Sequence, residues 1–318
     1  MTTVAFLGPQ GTFTHQAVLT WAATNVTQGK AASPTLLPLT SVPAVFTAVA
    51  TGQAACGIVA IESSVEGYVV PTVDALLASD DVVAVDEVVL PISFDAFVLP
   101  GHGPLTQATA HPHGLAQVTR FIAAHNLTPV PAASNAAACR DLTSNQVAFG
   151  PSLCGTLYSL ETLAQGVEDY ASARTRFLVI ARRDDAPAAL EAARTSHDGA
   201  WRTMLAITPT LTGPGVLARV TTAFGARRVN MSSLVTRPLK AAARQYAFAV
   251  TFDTAPWEPA ARALISDLLA AGDSLKTLGV YPADPAEGGL DGVLPANVPA
   301  ASVTTTDDNA SLDRALLW

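Results

Sequence analysis

The sequence predicts an α/β protein in which two lobes face each other across a cleft, followed by a small βαββαβ domain. Three observations predict it. Apolar runs of strand length alternate with segments of helix length; the chain leaves for a second α/β unit and returns through one long apolar strand; and a block near the C-terminus runs strand, helix, strand, strand, helix, strand. The 318 residues are 49% hydrophobic and only 14% charged, which suits two packed domains and excludes a disordered chain.

In chain order, Val4 to Leu7 is an apolar strand, Gly8-Pro9-Gln10-Gly11 a tight turn and about Thr14 to Ala23 a helix. Val42 to Thr51 is a second helix, and Gly57 to Ile61 a short buried strand ending on the polar Glu62, Ser63 and Ser64. Val82 to Pro91 and Ile92 to Leu99 are β segments, His113 to His125 and Asn135 to Leu142 helices, and Val147 to Phe149 a strand, so a second lobe occupies about residues 75–164. Thr175 to Ala181, a strand whose first residues are polar, completes a first lobe made of about 1–74 and 165–183.

Residues 184–200, rich in Ala, Arg and Asp, read as a linker. Over residues 201–283, strands at Thr203–Thr208, Val229–Val235, Gln245–Phe252 and Leu275–Tyr281 and helices at Gly215–Phe224 and Glu258–Leu269 give a ferredoxin-like order. Residues 284–318 are rich in Pro, Gly, Ala, Thr and Asp and are expected to be poorly ordered, with Ser311 to Trp318 able to dock as a short helix.

A formal net charge of −8 with no clustered Lys and Arg argues against a nucleic-acid surface, so an anionic ligand must be held locally. The first residues enter a strand with no basic segment and apolar signal core, and no later apolar run reaches spanning length, so cytoplasmic residence and no membrane partner are expected. Cys56, Cys139 and Cys154 are widely spaced in apolar surroundings and read as buried reduced thiols. His111 and His113 lack acidic or thiol companions, so no metal site is expected.

Three segments carry chemistry. The turn Gly8 to Thr14 joins a strand to a helix, whose unpaired N–H groups and positive dipole end suit a carboxylate; Thr12 or Thr14 serves equally well as a helix cap. Glu62 follows a buried run, where a carboxylate is costly unless paired, protonated or useful, although it also reads as a strand end facing solvent. Arg176, between Thr175 and Phe177, offers a planar fork that binds both oxygens of a carboxylate, with an ordinary surface arginine as the other reading.

Taken in order, VAFLGPQGTFT at 4–14, AIESSVEG at 60–67 and Thr175-Arg176-Phe177 resemble the prephenate dehydratases, and His111-Pro112, Leu115-Ala116-Gln117 and Ser134-Asn135-Ala136-Ala137 resemble intervening family segments. Gly215-Val216-Leu217 and Val235-Thr236-Arg237-Pro238 are similar to the Gly-Ala-Leu and Glu-Ser-Arg-Pro signatures of the regulatory ACT domain that follows in this family. The resemblance spans about residues 3–283. Ser63 stands where the family has Asn, Ala173 where an Asn is frequent, and Thr212 where Asn or Asp is common.

The resemblance implies a type II periplasmic-binding-protein-like catalytic domain and a cofactor-free lyase that converts prephenate to phenylpyruvate in phenylalanine biosynthesis. It implies catalytic roles for Thr175 and Glu62, substrate contacts from Gly11, Thr12, Ser63, Ser64, Arg176 and Phe177, and an aromatic effector, phenylalanine first among them, near Gly215, Val216, Leu217, Thr236 and Arg237. Pairing of ACT domains implies a homodimer or homotetramer. A catalytically silent aromatic-metabolite sensor and an arogenate dehydratase remain the alternative readings, and a fused chorismate mutase is not expected ahead of Val4.

Overall fold

Two sheets organise the chain in the computed structural model, which describes residues 2–27, 33–210, 213–239 and 246–284. The first part supplies β1 (Thr3–Leu7), α1 (Phe13–Thr27), β2 (Thr35–Leu39), α2 (Val42–Ala50), β3 (Cys56–Ser63), β4 (Gly67–Tyr68), α3 (Val70–Ala78) and β5 (Val82–Pro91). Then come β6 (Asp95–Val98), β7 (Gln107–Ala110), α4 (Pro112–Leu115), α5 (Thr119–Ala124), β8 (Thr128–Pro131), α6 (Asn135–Arg140), β9 (Gln146–Gly150), α7 (Leu153–Tyr158) and β10 (Glu161–Ala164). The chain returns through β11 (Arg174–Arg182) and α8 (Ala186–Ser196). It ends, within the described residues, with β12 (Trp201–Thr208), α9 (Val216–Ala226), β13 (Met231–Pro238), β14 (Tyr246–Phe252), α10 (Pro259–Ala270) and β15 (Ser274–Pro282).

The smaller sheet, ordered β10-β6-β9-β7-β8, is the second lobe; the larger runs β13-β14-β12-β15-β5-β11-β3-β1-β2, with β4 beside β3. β5, expected in the second lobe, instead pairs along its whole length with β11, so the second lobe begins only at β6. Both faces of β11, β3 and β5 are covered, which is why these strands read as unbroken apolar runs. One face carries Phe6, Phe94 and Phe177 under α1, and the other Val45, Phe46, Leu76, Leu178 and Ile180 under α2 and α3. α2 shows how such a helix is fixed: Ser41 caps it through the Ala44 N–H, and Val42, Val45, Phe46 and Val49 fall at the i, i+3, i+4, i+7 spacing of one buried stripe.

The βαββαβ unit has the expected order along the chain; in the sheet β12 lies between β14 and β15, and the pairs within the unit are antiparallel. α9 and α10 bury Val220, Phe224, Leu264 and Leu268 on one face. The opposite face is not solvent-exposed: Met204, Ala206 and Ala249 join the apolar cluster of α2 and α3. β15 also meets β5 in parallel at Gly279 and Ala84, where a Cβ on residue 279 would stand 2.6 Å from that of Ala84, so only glycine permits the junction.

Residues 184–200, read as a linker, contain a helix. Ala186–Ser196 of this stretch form α8, whose Leu190 and Ala193 pack on Trp201 and Trp257, with the Arg194 guanidinium 4.6 Å from the Trp257 ring. The single helix expected over 113–125 is two short ones. Asp169, from the returning strand's approach, accepts the N–H groups of Thr119 and Arg120 and so starts α5 afresh. β2, β4, α3, β7, β8, α7 and β10 are not among the elements expected from the sequence. Gln245, Thr212 and residues 285–318, including the segment Ser311 to Trp318, lie outside the described residues.

Candidate active site

One edge of the large sheet collects the chemistry. β1 and β3 are parallel, so the turn after Leu7 and the end of β3 at Ser63 lie on the same side. β11 runs antiparallel to both β3 and β5, which places its first residues against Ser63 and against the end of β5, in register Thr175 with Ser63 and Leu90, and Arg176 with Glu62 and Val89. Carboxyl ends of parallel strands are the usual crevice of an open α/β sheet.

The turn from Gly8 to Thr12 is held from within. Thr12 is the helix cap: its Oγ1 accepts the His15 N–H at 3.2 Å and donates to the Leu7 and Pro9 carbonyls. The Gly11 N–H donates to Nδ1 of buried His15 at 3.0 Å, so this amide, expected to face substrate, is already engaged. Burial lowers the His15 pKa, which favours the neutral ring that an acceptor nitrogen requires. The second lobe closes on the same turn, with Cys154 Sγ donating to the Gly11 carbonyl and Tyr158 Oη to the Gln10 carbonyl at 2.6 Å. Gly11 has φ +89°, and a Cβ there would lie 3.1 Å from Tyr158 and 3.2 Å from Ala136.

Side-chain directions divide the remaining candidates. Thr175 alternates with Phe177 and shares a face with Leu90, so it sits on the α1 side with its register partner Ser63. Its half-buried hydroxyl has no protein partner among the described residues. Arg176 points to the other side. Its guanidinium lies 3.4 Å from Glu62 and 3.6 Å from Glu87. The expectation that Gly11, Glu62 and Arg176 line one crevice therefore changes: the turn and Thr175 are on one face, and Glu62 and Arg176 engage each other on the opposite one. Phe177, expected at the substrate, is 1% exposed and packs in the core.

The serines are also committed. Ser63 Oγ accepts the N–H groups of Val65 and Glu66, closing the turn into β4, and Ser64 Oγ accepts the Arg174 N–H at 2.9 Å. Between the lobes, Gln16, Pro91, Ser93, Asp95 and Ser152 line a cavity of about 170 Å³, a set of polar groups that no motif in the sequence singled out. Buried Asp95 there accepts the Gly166 N–H, and Glu168 takes the Ser93 hydroxyl and the Phe94 N–H, which ties the two crossings between lobes together.

Residues 4–185 match the family model for prephenate dehydratase. The chain belongs to the prephenate dehydratase family. A prephenate dehydratase from Mycobacterium sp. (strain JLS) is 36% identical over 256 residues, 78% of each protein. Among solved structures, prephenate dehydratase from Arthrobacter aurescens in complex with L-Phe superimposes with a TM-score of 0.76 at 26% identity, covering 100% of this chain and 98% of that one. GqqA, described as a novel type of quorum-quenching acylase, gives 0.72 at 26% identity over 89% of this chain and 98% of its own. Prephenate dehydratases are lyases of aromatic amino acid biosynthesis, and the chain is an enzyme of that class.

In this prephenate dehydratase the βαββαβ unit carries the larger cavity, about 320 Å³, lined by Val216, Leu217, Thr236, Tyr246 and Phe248 with Gly213 and Pro209. Three of the expected effector contacts, Val216, Leu217 and Thr236, line it, and Gly215 caps α9 beside it. Arg237 does not. It alternates away from Thr236 along β13 and makes a two-toothed pair with Asp74 of α3 at 2.6 and 2.9 Å. Among the described residues no helix is long and apolar enough to cross a membrane, and no group of three or more His, Cys, Asp and Glu is placed to hold a metal ion.

Proposed function

We propose that the chain converts prephenate to phenylpyruvate at the sheet edge between the lobes, with Thr175 as the residue that touches the leaving hydroxyl. The observation that carries this reading is the register of Thr175 with Ser63 on the face of α1, at the edge where the helix begins. Loss of CO2 pushes the electrons of the broken C–C bond into the ring as the C–O bond breaks. The departing oxygen takes up a proton to leave as water, and aromatisation drives the reaction forward. A threonine hydroxyl is too weak an acid to give that proton outright, so Thr175 donates a hydrogen bond to the departing oxygen and the proton comes from solvent.

The N-terminal dipole of α1 and its first-turn N–H groups suit the side-chain carboxylate, while the ring carboxylate is best left in a less polar setting that favours decarboxylation. Glu62 and Arg176 act from the opposite face, holding the start of β11 rather than touching substrate. Glu62, for which the resemblance implies a catalytic role, suits this positioning role because its carboxylate is already paired with Arg176.

The two-lobed catalytic part suits the type II periplasmic-binding-protein-like class, and residues 201–283 suit an ACT domain that binds an aromatic amino acid in the 320 Å³ cavity. The relative from A. aurescens was solved with L-Phe, which makes phenylalanine the first candidate. A homodimer or homotetramer joined through these domains, and residence in the cytoplasm, complete the reading. An acyl-transfer activity like that named for GqqA would need an activated nucleophile; Ser63 and Ser64 instead accept backbone N–H groups and have no histidine among their described hydrogen-bond partners.

The test is phenylpyruvate formation from prephenate, and in parallel phenylalanine formation from arogenate, with calorimetric titration of phenylalanine, tyrosine and tryptophan. Turnover of prephenate is expected. Absence of turnover with either substrate would leave only a sensor.

A further inference from the structure

Glu87 is a carboxylate in the middle of β5 whose side chain is fully buried, and two arginines from different parts of the chain converge on it. Arg202, on the first strand of the βαββαβ domain, donates from Nη1 to Oε1 at 2.9 Å and to Oε2 at 3.2 Å. Arg176, beside Thr175 on β11, reaches Glu87 at 3.6 Å and Glu62 at 3.4 Å. Charge-assisted pairs settle at about 2.7–2.9 Å, so the Arg202 contact is closed while Arg176 is shared between two carboxylates at longer range.

The C-terminal domain reaches Glu87 through Arg202 on β12 and the Asp284 N–H after β15. Arg202 itself contacts Asp253, after β14, at 3.4 Å, and Asp253 accepts from Asn230 before β13. After β15, the Asp284 N–H donates to Glu87 Oε1 at 2.7 Å, and the Asp284 carboxylate accepts the Val89 N–H at 3.1 Å. Any shift of β12 or of the end of β15 changes how firmly Glu87 is held.

We infer that Glu87 is a positioning residue that couples the βαββαβ domain to the strand bearing Thr175, through a buried carboxylate shared by Arg202 and Arg176. Glu62 and Glu87 are alternative anchors for Arg176. When Arg202 holds Glu87 closely, Arg176 lies between Glu62 and Glu87; when β12 retreats, Glu87 needs Arg176 more, and the guanidinium moves from Glu62 toward β5. Thr175 adjoins Arg176 in the backbone and opposes Ser63 in the ladder, so this exchange changes its placement. A two-state element biased from both sides is what coupling between distant sites requires.

The inference rests on the regulatory reading of the C-terminal domain, and the experiment separates the two. Phenylalanine binding by calorimetry, and kcat and KM with and without phenylalanine, are measured for the wild type, Arg202→Gln and Glu87→Asp. The second variant keeps the charge but withdraws the carboxylate from Arg202. The wild type is expected to bind phenylalanine and to change its kcat/KM in response. Both variants should bind with affinity within about twofold of wild type, while the response of kcat/KM shrinks at least about fivefold. Variants that bind and respond as the wild type does would overturn the inference and leave the regulatory reading intact. A wild type that binds phenylalanine without any kinetic response would overturn both, and a wild type that binds no aromatic amino acid would end the regulatory reading first. Should one variant fail to fold, the other decides.

Discussion

Thr175 and Arg176 are adjacent in the chain and project to opposite faces of the central sheet, the hydroxyl toward α1 and the guanidinium toward Glu62 and Glu87. This division separates a group that can touch substrate from a group that holds the strand, and the two should fail differently when replaced. Thr175→Ala is expected to keep the wild-type unfolding midpoint and to lose about 100-fold or more in kcat, the scale of one positioned catalytic group. Thr175→Ser should recover most of the loss. Steady-state phenylpyruvate formation measures both, and near-normal turnover by the alanine variant would remove Thr175 from the mechanism.

Arg176→Gln should show its effect first in stability. The substitution removes one of the guanidinium groups at fully buried Glu87, which keeps Arg202 and the Asp284 N–H, and takes the Arg176 guanidinium from Glu62. Removing one member of a buried pair costs about 3–5 kcal/mol when nothing else compensates; with Arg202 still in place, about 2 kcal/mol is expected. Urea midpoints at matched slope read this directly. A variant of unchanged stability whose KM alone rises tenfold would restore Arg176 to the substrate side.

The placement of these residues at one edge was legible in the sequence, because the polar motifs stand where apolar strand runs stop: Leu7 before the turn, Ile61 before Glu62, and Thr175 before Phe177. Their faces were not. β11 is covered on both sides, so residues 177 to 181 are all apolar and give no period-2 signal from which to orient Thr175 and Arg176. The partners that orient Arg176 lie at Glu87 and, through it, Arg202, too remote in sequence to be paired by spacing. The same holds for Arg237 with Asp74, and for Asp169 at the start of α5. β2 escaped notice because Pro38 interrupts a five-residue run, which an outer strand tolerates.

The 320 Å³ cavity proposed to take the effector supports a third prediction. Leu217 is 43% exposed and lines the cavity with Val216 and Tyr246, so Leu217→Arg sets a charge into an apolar wall without disturbing the core of the domain. An aromatic side chain bound there would lose about 1.5 kcal/mol or more of apolar contact, roughly a tenfold weakening. Calorimetric titration with phenylalanine reads the change; an unaltered dissociation constant would place the effector elsewhere.

His15 gives the enzyme an acid limit on stability. Its Nδ1 must be unprotonated to accept the Gly11 N–H at 3.0 Å, and burial against Phe6 lowers its pKa. Since the folded pKa lies below the unfolded value of about 6.5, the folded protein binds fewer protons than the unfolded chain in the window between them. The contribution is therefore complete above about pH 6.5 and is lost as pH falls through the folded value, at up to about 1.4 kcal/mol per pH unit. His15→Gln keeps an acceptor near Gly11 and cannot be protonated, so the stability difference between wild type and variant should narrow, and can invert, between about pH 7 and pH 5. Because the bond shapes the turn at which substrate is proposed to sit, the acid limb of kcat/KM should flatten in the same variant. Parallel stability curves across that range would mean that His15 does not titrate with folding, and that the Gly11 turn is held by Thr12, Cys154 and Tyr158 alone.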